Sequence, residues 1–202
     1  MRDQWYADNR DLVKWGVLLT LADRFHARHI LQVPYYRTSE WAPLVIDGEN
    51  VKLPEAVVRH FRRVGAISTI QASVPIEVVL DTFADRAEYH RIVINRIRSR
   101  EQIPGIIFLD PDTGLEPRAA GLEHVLGAEL AKLWHELQRG DLLVFYQHQT
   151  NRNGAPWIEP KKQQFERALG VLAGVAKVAR AEKIARDVVF FYVQKAGLPS
   201  AG

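Results

Sequence analysis

Apolar and polar positions follow two patterns along the chain, and these patterns predict strands and helices in turn. Short runs that are mostly apolar, or that alternate, predict β-strands at 29–36, 66–72, 105–109, 142–147 and 188–194. Longer stretches with apolar residues at helical spacing predict α-helices at 9–25, 53–63, 75–100, 121–139 and 160–185. Pro43 and the Asp47-Gly48 pair predict a loop over 38–53.

Strands that alternate with helices predict an α/β domain. Most of the predicted strands are too uniformly apolar to keep one face in water. We therefore expect a mainly parallel sheet with helices on both faces, which makes three layers. The chain carries no repeat and no linker rich in Pro, Gly or Ser. The sequence predicts one domain over 1–202, with an N-terminal helical segment at 1–28 packed on it and a frayed tail at 196–202.

Composition narrows the class of protein. Apolar residues make up 47% and charged residues 25% of the chain, as in ordinary folded proteins. No run approaches the ~20 apolar residues of a membrane span. The absence of cysteine excludes disulfides, thiolate metal sites and cysteine nucleophiles. The first residues lack the basic-then-apolar order of a secretory signal, so we expect a cytoplasmic protein with no membrane partner.

Charge bears on the choice of partner. The chain has 27 Lys and Arg residues against 24 Asp and Glu residues, and its net charge of +3 permits an acidic partner without requiring one. Basic residues cluster at 59–63 and again at 86–100. Because arginine suits phosphate groups, nucleic acid is a candidate partner, although a solvated helix face is the commoner reason for such clusters. The sequence leaves the oligomeric state open.

Polar residues follow three of the predicted strands. In a parallel α/β sheet, ligands bind beyond the carboxyl ends of the strands. This rule selects 35–37, 110–114 and 147–149. The sharpest of these segments is Asp110-Pro111-Asp112-Thr113-Gly114, in which two carboxylates leave one buried strand within three residues. Asp110 and Asp112 are therefore candidate catalytic residues, and the alternative is that they only cap the loop.

His148 leaves the next strand and is the third candidate catalytic residue. If the two strands are neighbours, its imidazole approaches Asp110 and Asp112. Such a set holds a divalent metal ion or relays protons, so the same three residues are the candidate metal ligands. The alternative is a histidine that hydrogen-bonds its own loop, because a single histidine is a weak signal.

The N-terminal segment Tyr6-Ala7-Asp8-Asn9-Arg10-Asp11-Leu12-Val13-Lys14-Trp15 resembles the opening segment of the bacterial adenine-N6 methyltransferases that act on large-subunit ribosomal RNA. Asn9, Asp11 and Lys14 match that family's His-Ala-Gly-Asn and Asp-x-x-Lys-His motif, with one residue fewer between Asn and Asp. Asp110-Pro111-Asp112-Thr113 stands where the family has Asp-Pro-Pro-Tyr. The similarity covers these two motifs and the element order over about two thirds of the chain.

This resemblance implies a Rossmann-like, methyltransferase-like fold and S-adenosylmethionine as cofactor. It also implies roles for single residues. Asn9, Asp11 and Lys14 would lie at the cofactor, with Lys14 neutralising its carboxylate, and Asp110 would orient the acceptor amine. The chain departs from the family in three places. It has no Gly-x-Gly after the first strand, no acid after the predicted second strand at 66–72, and Asp112-Thr113 in place of Pro-Tyr.

Three functions therefore stand as hypotheses. The first is a methyltransferase-like protein that uses S-adenosylmethionine on a nucleic-acid base amine, or a descendant whose cofactor site has changed. The second is a metal-dependent phosphodiester hydrolase or nuclease that uses Asp110, Asp112 and His148. The third is a non-catalytic module that binds nucleic acid through the same strand ends and the arginine-rich faces.

Overall fold

A computed structural model of the chain describes residues 1–39, 41–61, 63–149, 151 and 154–196. The helices are α1 (Asn9–Phe25), α2 (Glu55–Phe61), α3 (Arg86–Ser99), α4 (Gly127–Glu136) and α5 (Ile158–Leu169). The strands are β1 (Ile30–Val33), β2 (Leu44–Ile46), β3 (Glu49–Val51), β4 (Ile76–Val78), β5 (Ile106–Leu109), β6 (Gly114–Leu115), β7 (His124–Val125), β8 (Leu142–His148), β9 (Lys177–Ala181) and β10 (Ala185–Gln194). Short 3₁₀ helices span Asp3–Trp5 and Val64–Thr69.

Six strands form one mixed sheet in the order β4-β1-β5-β8-β10-β9. The first four of these strands are parallel, whereas β10 runs antiparallel to both of its neighbours, β8 and β9. The prediction of an α/β protein with a mainly parallel sheet is therefore confirmed, and this topology is compatible with a Rossmann-like fold. The two-residue strands β6 and β7 pair with each other, and β2 pairs with β3.

Successive residues of the central strands belong to two different hydrophobic clusters. Ile107 and Leu109 of β5 join one cluster, together with apolar residues of α3, α4 and α5. Ile106 and Phe108 join the other cluster, together with apolar residues of α1. All four β5 side chains are fully buried. This is the physical reason why the strand is apolar at every position instead of alternating.

Helix α1 has the bounds that its sequence predicts, because both of its ends carry clear signals. Asp8 caps the first turn by accepting hydrogen bonds from the backbone N–H groups of Arg10 (2.8 Å) and Asp11 (3.0 Å). His26 ends the helix in the left-handed conformation, with φ of 53°. The buried side of the helix, which includes Leu18 and Leu21, packs on the sheet and forms part of the second hydrophobic cluster.

The predictions for 66–72 and 75–100 are wrong in detail. The alternating segment 66–72 is not a strand, because a 3₁₀ helix spans Val64–Thr69. The second strand of the parallel sheet is instead β4, and α3 begins only at Arg86, where Asp85 caps it. Strand β4 has three residues, so its pattern is too short to distinguish from the first turn of a helix.

Three further predicted boundaries change. Helix α5 ends at Leu169, because Gly170 adopts a left-handed conformation with φ of 66°, and the predicted helical stretch to 185 contains β9. Helix α4 is limited to Gly127–Glu136, after β7. The predicted loop at 38–53 contains the β2–β3 hairpin, which turns at the Asp47-Gly48 pair. For α5, the turn at Gly170 thus ends the helix although the apolar spacing continues past it.

The N-terminal segment predicted at 1–28 consists of a 3₁₀ turn and α1. The tail predicted at 196–202 lies outside the described residues apart from Ala196. Within the described part of the chain, no helix has both the length and the apolar content needed to cross a membrane.

Candidate functional site

The strand order reverses at β1, which has β4 on one side and β5 on the other. The crevice beyond the carboxyl ends of β1 and β5 is the place where open α/β sheets bind ligands. A cleft of about 180 Å³ lies there, and we call it the switch-point cleft. Its lining residues are Met1, Trp5, Asp8, Arg10, Lys14, Asp110, Pro111, Asp112, Tyr146 and His148. All three predicted catalytic residues therefore reach one cleft.

Asp110 follows β5 directly and is 1% exposed. Its carboxylate lies 3.0 Å from the Lys14 ammonium, and its Oδ2 accepts a hydrogen bond of 2.9 Å from the Gln32 side chain. Lys14 in turn lies 2.9 Å from Asp11. Helix α1 supplies Lys14 and Asp11, and strand β1 supplies Gln32. Two carboxylates thus share one ammonium group, which leaves this buried network one negative charge in excess when both are ionised.

The electrostatics of the network follow from burial and from these ion pairs. Burial alone would lower the pKa of Lys14, but the charges of Asp110 and Asp11 outweigh it and raise the pKa above its ordinary value. Burial raises the pKa of Asp11, although Lys14 opposes the shift. Burial also raises the pKa of Tyr146, whose ring centroid is 4.8 Å from the Lys14 ammonium. Lys14 therefore stays charged near neutral pH.

Asp112 forms a second charged group on the wall of the cleft. Its carboxylate pairs with Arg37, from the segment after β1, and lies 2.7 Å from the Met1 amino group. The same amino group donates to the Pro34 carbonyl (2.6 Å) and approaches the Tyr35 carbonyl (3.0 Å). Burial lowers the pKa of the Met1 amino group to about 4, although the charge of Asp110 opposes this shift. The Met1 amino group is therefore uncharged near neutral pH, and Arg37 is the positive partner of Asp112.

His148 lies at the rim of the cleft. Its Nε2 is 3.0 Å from Asp187, and its Nδ1 is 2.8 Å from the backbone carbonyl of Gln149. Arg10 also reaches Asp187, at 2.5 Å. Among the described residues, no group of three or more His, Asp and Glu side chains is arranged to hold a metal ion. His148 thus shares the cleft with Asp110 and Asp112 without forming a ligand set with them.

Three buried oxygen atoms around the cleft lack a hydrogen-bond donor within the described residues. Two are Oδ1 of Asp110 and Oδ1 of Asp112, on residues that line the cleft, and the third is Oε1 of Gln32, which contacts Asp110 from outside the lining. The Lys14 ammonium lies 3.0 Å from the Asp110 atom and the Met1 amino group lies 2.7 Å from the Asp112 atom, but neither contact has hydrogen-bond geometry. Buried acceptors are normally hydrogen-bonded, and leaving one unpaired costs about 1–3 kcal/mol. The cleft therefore offers acceptors that a donor-bearing ligand would satisfy.

The turn after β1 does not fit S-adenosylmethionine. A glycine-rich turn would bring backbone close to such a cofactor, but here Tyr35, at φ of 48°, is fully buried. Its ring packs on Phe83 and Tyr89, with centroids 5.2 and 5.5 Å away. Its backbone N–H donates to the Tyr89 hydroxyl at 3.0 Å. The Tyr35 backbone N–H is therefore used within the protein, and its side chain takes the place of the close backbone approach that a glycine-rich turn provides.

The second strand of the sheet is β4, and its position removes one departure from the methyltransferase pattern, the missing acid after the second strand. Asp81 follows β4 and is partly exposed, so an acid does stand after the second strand. Sequence reasoning missed it because that reasoning put the strand at 66–72. The rings of Tyr35, after β1, and Phe83, after β4, are nevertheless buried against each other, with centroids 5.2 Å apart. Lys14, the predicted partner of the cofactor's carboxylate, is occupied by Asp110 and Asp11.

The other predicted binding residues lie outside the cleft lining. Asn9 is exposed at the start of α1, and Asp11 lies buried behind Lys14. Each arginine of the 86–100 cluster pairs with a carboxylate, in the pairs Arg86–Glu129, Arg91–Glu88, Arg96–Glu77, Arg98–Glu136 and Arg100–Asp141. These guanidinium groups are therefore partly neutralised. In the 59–63 cluster, Arg62 and the side chains of Arg59 and His60 lie outside the described residues.

Sequence reasoning missed several residues of the site. Gln32 carried a usable signal, because it is the one polar residue in the buried strand Ile30–Val33. A polar side chain at such a position needs a partner, and its position near the strand end points to the cleft. Trp5 gave no comparable signal, since a single aromatic residue near a chain end is common. Arg37 lies in the predicted segment 35–37, but no pattern in the sequence indicates that it pairs with Asp112.

No protein-family model matches the chain, and a search of curated proteins finds no significant relative. Sequence comparison therefore assigns the chain to no family. The resemblance to adenine-N6 methyltransferases stays a prediction, and the evidence on function comes from the chemistry of the cleft.

Proposed function

We propose that the protein is a methyltransferase-like α/β protein that binds the exocyclic amine of a nucleic-acid base in the switch-point cleft, without the usual S-adenosylmethionine site. The observation that carries the proposal is the pair of buried acceptor oxygens on Asp110 and Asp112, two residues that line the cleft. An amine donates two hydrogens and so supplies what these atoms lack.

Charge supports the same class of ligand. Asp110 and Asp11 share only one ammonium, that of Lys14, so the buried side of the cleft favours a hydrogen donor over an anion. Asp112, 5% exposed, adds a second carboxylate on the wall. A phosphate group placed here would face both carboxylates, and the lining cations Lys14 and Arg10 are already paired with carboxylates of the protein. The amine is therefore the favoured group, and any phosphate of the ligand would have to lie outside the cleft.

Size and aromatic content support a single base. The cleft of about 180 Å³ is smaller than the ~300–1,000 Å³ of pockets that enclose drug-sized ligands. Trp5 lines it and is 44% exposed, so its ring is accessible for stacking. Stacking of a base on an aromatic side chain is worth about 1–3 kcal/mol. Tyr146 supplies a second aromatic wall.

The proposal includes the finer fold assignment, a single three-layer domain of the methyltransferase-like type. The two hydrophobic clusters that share the central strands support this arrangement. It assigns no methyl transfer to the chain, because the turn at Tyr35 does not fit the cofactor. The metal-dependent hydrolase is not favoured, because the described residues provide no ligand cluster.

Calorimetry with two nucleosides tests the proposal. Adenosine carries the exocyclic amine, whereas inosine has a carbonyl oxygen at the same position and would face the carboxylates with an acceptor. We expect saturable heat with adenosine and at least about tenfold weaker binding of inosine. Trp5→Ala should weaken adenosine binding, and Trp41→Ala, outside the cleft lining, is the matched control. Equal binding of both nucleosides, or no binding of either, contradicts the proposal.

A second titration, with S-adenosylmethionine, tests the conclusion about the cofactor. We expect no saturable heat at millimolar concentration. Saturable binding that competes with adenosine would restore the methyltransferase hypothesis. A thermal shift with Mg²⁺ or Mn²⁺ that disappears in both Asp110→Ala and Asp112→Ala would instead restore the hydrolase hypothesis.

A further inference from the structure

Gln147 is a fully buried polar side chain at the end of β8, and all of its hydrogen bonds go to backbone groups of segments that lead into the cleft. Its Oε1 accepts from the Leu115 N–H at 2.9 Å. Its Nε2 donates to the Thr113 carbonyl at 3.2 Å and to the His148 carbonyl at 2.7 Å. One side chain thus ties the segment after β5 to the segment after β8.

Gly114 lies directly under this side chain. Its φ of 128° is a conformation that other residues rarely adopt, and a Cβ at this position would collide with the Gln147 amide. The backbone N–H of His148 adds a bond of 2.8 Å to the Thr113 carbonyl. The two segments are therefore held together at close range, just beyond Asp112 on one side and at His148 on the other.

We infer that Gln147 is a positioning residue of the switch-point cleft. It fixes the distance between Asp112, on the wall of the cleft, and His148, at its rim. The inference rests on the proposed function, because it assigns to Gln147 the geometry in which the ligand's amine meets Asp112. Gln147 does not line the cleft itself and acts only through the loop that it holds. Without its hydrogen bonds to Leu115 and Thr113, the 112–115 loop would lose its side-chain links to β8.

Glu166 offers a matched control elsewhere in the fold. It is 2% exposed on α5, and its Oε1 accepts from the backbone N–H groups of Gly174 and Ala176, both at 2.9 Å. It therefore ties a loop to its helix as Gln147 ties the 112–115 loop to β8, but it is absent from the cleft lining. Gln147→Met and Glu166→Met each remove a buried side-chain link to backbone and replace it with a flexible apolar chain.

The first readout is amide hydrogen exchange, which needs no ligand. We expect Gln147→Met to speed exchange at Leu115 and His148 by at least about tenfold while leaving Gly174 and Ala176 unchanged. Glu166→Met should give the reverse pattern. Unchanged exchange at Leu115 and His148 in Gln147→Met overturns the inference. If Gln147→Met does not fold, Gln147→Glu replaces it, since it keeps the acceptor for Leu115 but loses both donors.

The second readout is adenosine affinity. We expect a loss of about tenfold or more in Gln147→Met and no change in Glu166→Met, even if both lower the melting temperature. Wild-type binding that survives Gln147→Met unchanged overturns the inference and leaves the proposed function standing. Absence of binding to the wild type contradicts the proposed function, and hydrogen exchange then decides the positioning role alone.

Discussion

Two buried aspartates stand at opposite edges of the parallel sheet, and their surroundings differ. Asp110 follows β5 at the carboxyl edge, and Asp141 precedes β8 at the amino edge. Both are almost completely buried, at 1% and 0% exposed. Asp141 is saturated with donors, because its carboxylate accepts from Gly105 (3.1 Å) and Gln138 (2.6 Å) backbone N–H groups and pairs with both arms of the Arg100 guanidinium.

Asp110 retains an oxygen without a hydrogen-bond donor, in spite of Lys14 and Gln32. A carboxylate whose acceptor sites are all filled by the protein has a structural task, because it joins loops and has nothing to offer a ligand. A carboxylate left short of donors, at the edge where α/β sheets bind ligands, has a free acceptor for one. The contrast assigns stability to the amino edge and binding to the carboxyl edge.

The largest expected effect is that of Asp141→Asn on stability. Removing one charge of a buried ion pair leaves Arg100 uncompensated and costs about 3–5 kcal/mol. Urea unfolding followed by circular dichroism measures the loss, with the exposed Asp23→Asn as control. A loss below about 1 kcal/mol would mean that Asp141 and Arg100 do not stabilise the amino edge of the sheet.

Asp110→Asn is expected to cost less stability, about 2 kcal/mol, because Lys14 keeps Asp11 as a partner. Its main effect should be on binding, since the amide places a donor where the ligand's amine needs an acceptor. We expect adenosine binding to become undetectable while the variant stays folded. If Asp110→Asn binds adenosine as well as the wild type does, the two edges do not differ as proposed.

Each edge also has a glycine with no room for a side chain. A Cβ at Gly114 would collide with Gln147, and a Cβ at Gly105 would collide with the His29 ring. Both alanine variants should lose about 1–3 kcal/mol, whereas only Gly114→Ala should weaken adenosine binding. Urea unfolding measures the stability of the two variants, and calorimetry on the same samples measures their affinity for adenosine. Equal adenosine affinity of both variants would contradict the proposed difference between the two edges.

The smallest expected effect is that of Asp11→Asn on the pH dependence of the protein's stability. Burial raises the pKa of Asp11 above its ordinary 3.8 in the folded state. As the pH rises through 3.8 and on through the raised value, the unfolded state releases this proton first, so the group's contribution to stability falls and then levels off.

Asp11→Asn removes that contribution. The stability of the variant relative to the wild type should therefore rise with pH across this window, by less than about 1.4 kcal/mol per pH unit. Urea unfolding at a series of pH values above 4 measures it. If the stability of the variant relative to the wild type falls with pH instead, the charge of Lys14 outweighs burial in setting the pKa of Asp11.

The sequence predicts the location of the site better than its chemistry. Asp110, Asp112 and His148 all line one cleft because residues that follow neighbouring parallel strands must emerge at the same edge. It does not predict that Arg37 neutralises Asp112, or that Tyr35 fills the turn after β1, because both depend on packing between segments far apart in the chain. The missing Gly-x-Gly is the one sequence feature that points to this filled turn.

The fold, like the site, can be predicted from the sequence only in part. Helix α1, with 17 residues at helical spacing, and the uniformly apolar strands β5 and β8 lie close to where their patterns predict them. The three-residue strand β4 and the short strands β6 and β7 are held by pairing with neighbours rather than by their own pattern. Tertiary contacts decide such short segments, and no local spacing reports those contacts.

Backbone chemical-shift mapping with adenosine tests the central claim most directly, because it observes both edges of the sheet in one experiment. The claim predicts shifts at Lys14, at Asp110–Gly114 and at His148, with Gly105 and Asp141 unmoved. Shifts at the amino edge, or none at the carboxyl edge at millimolar adenosine, would contradict it.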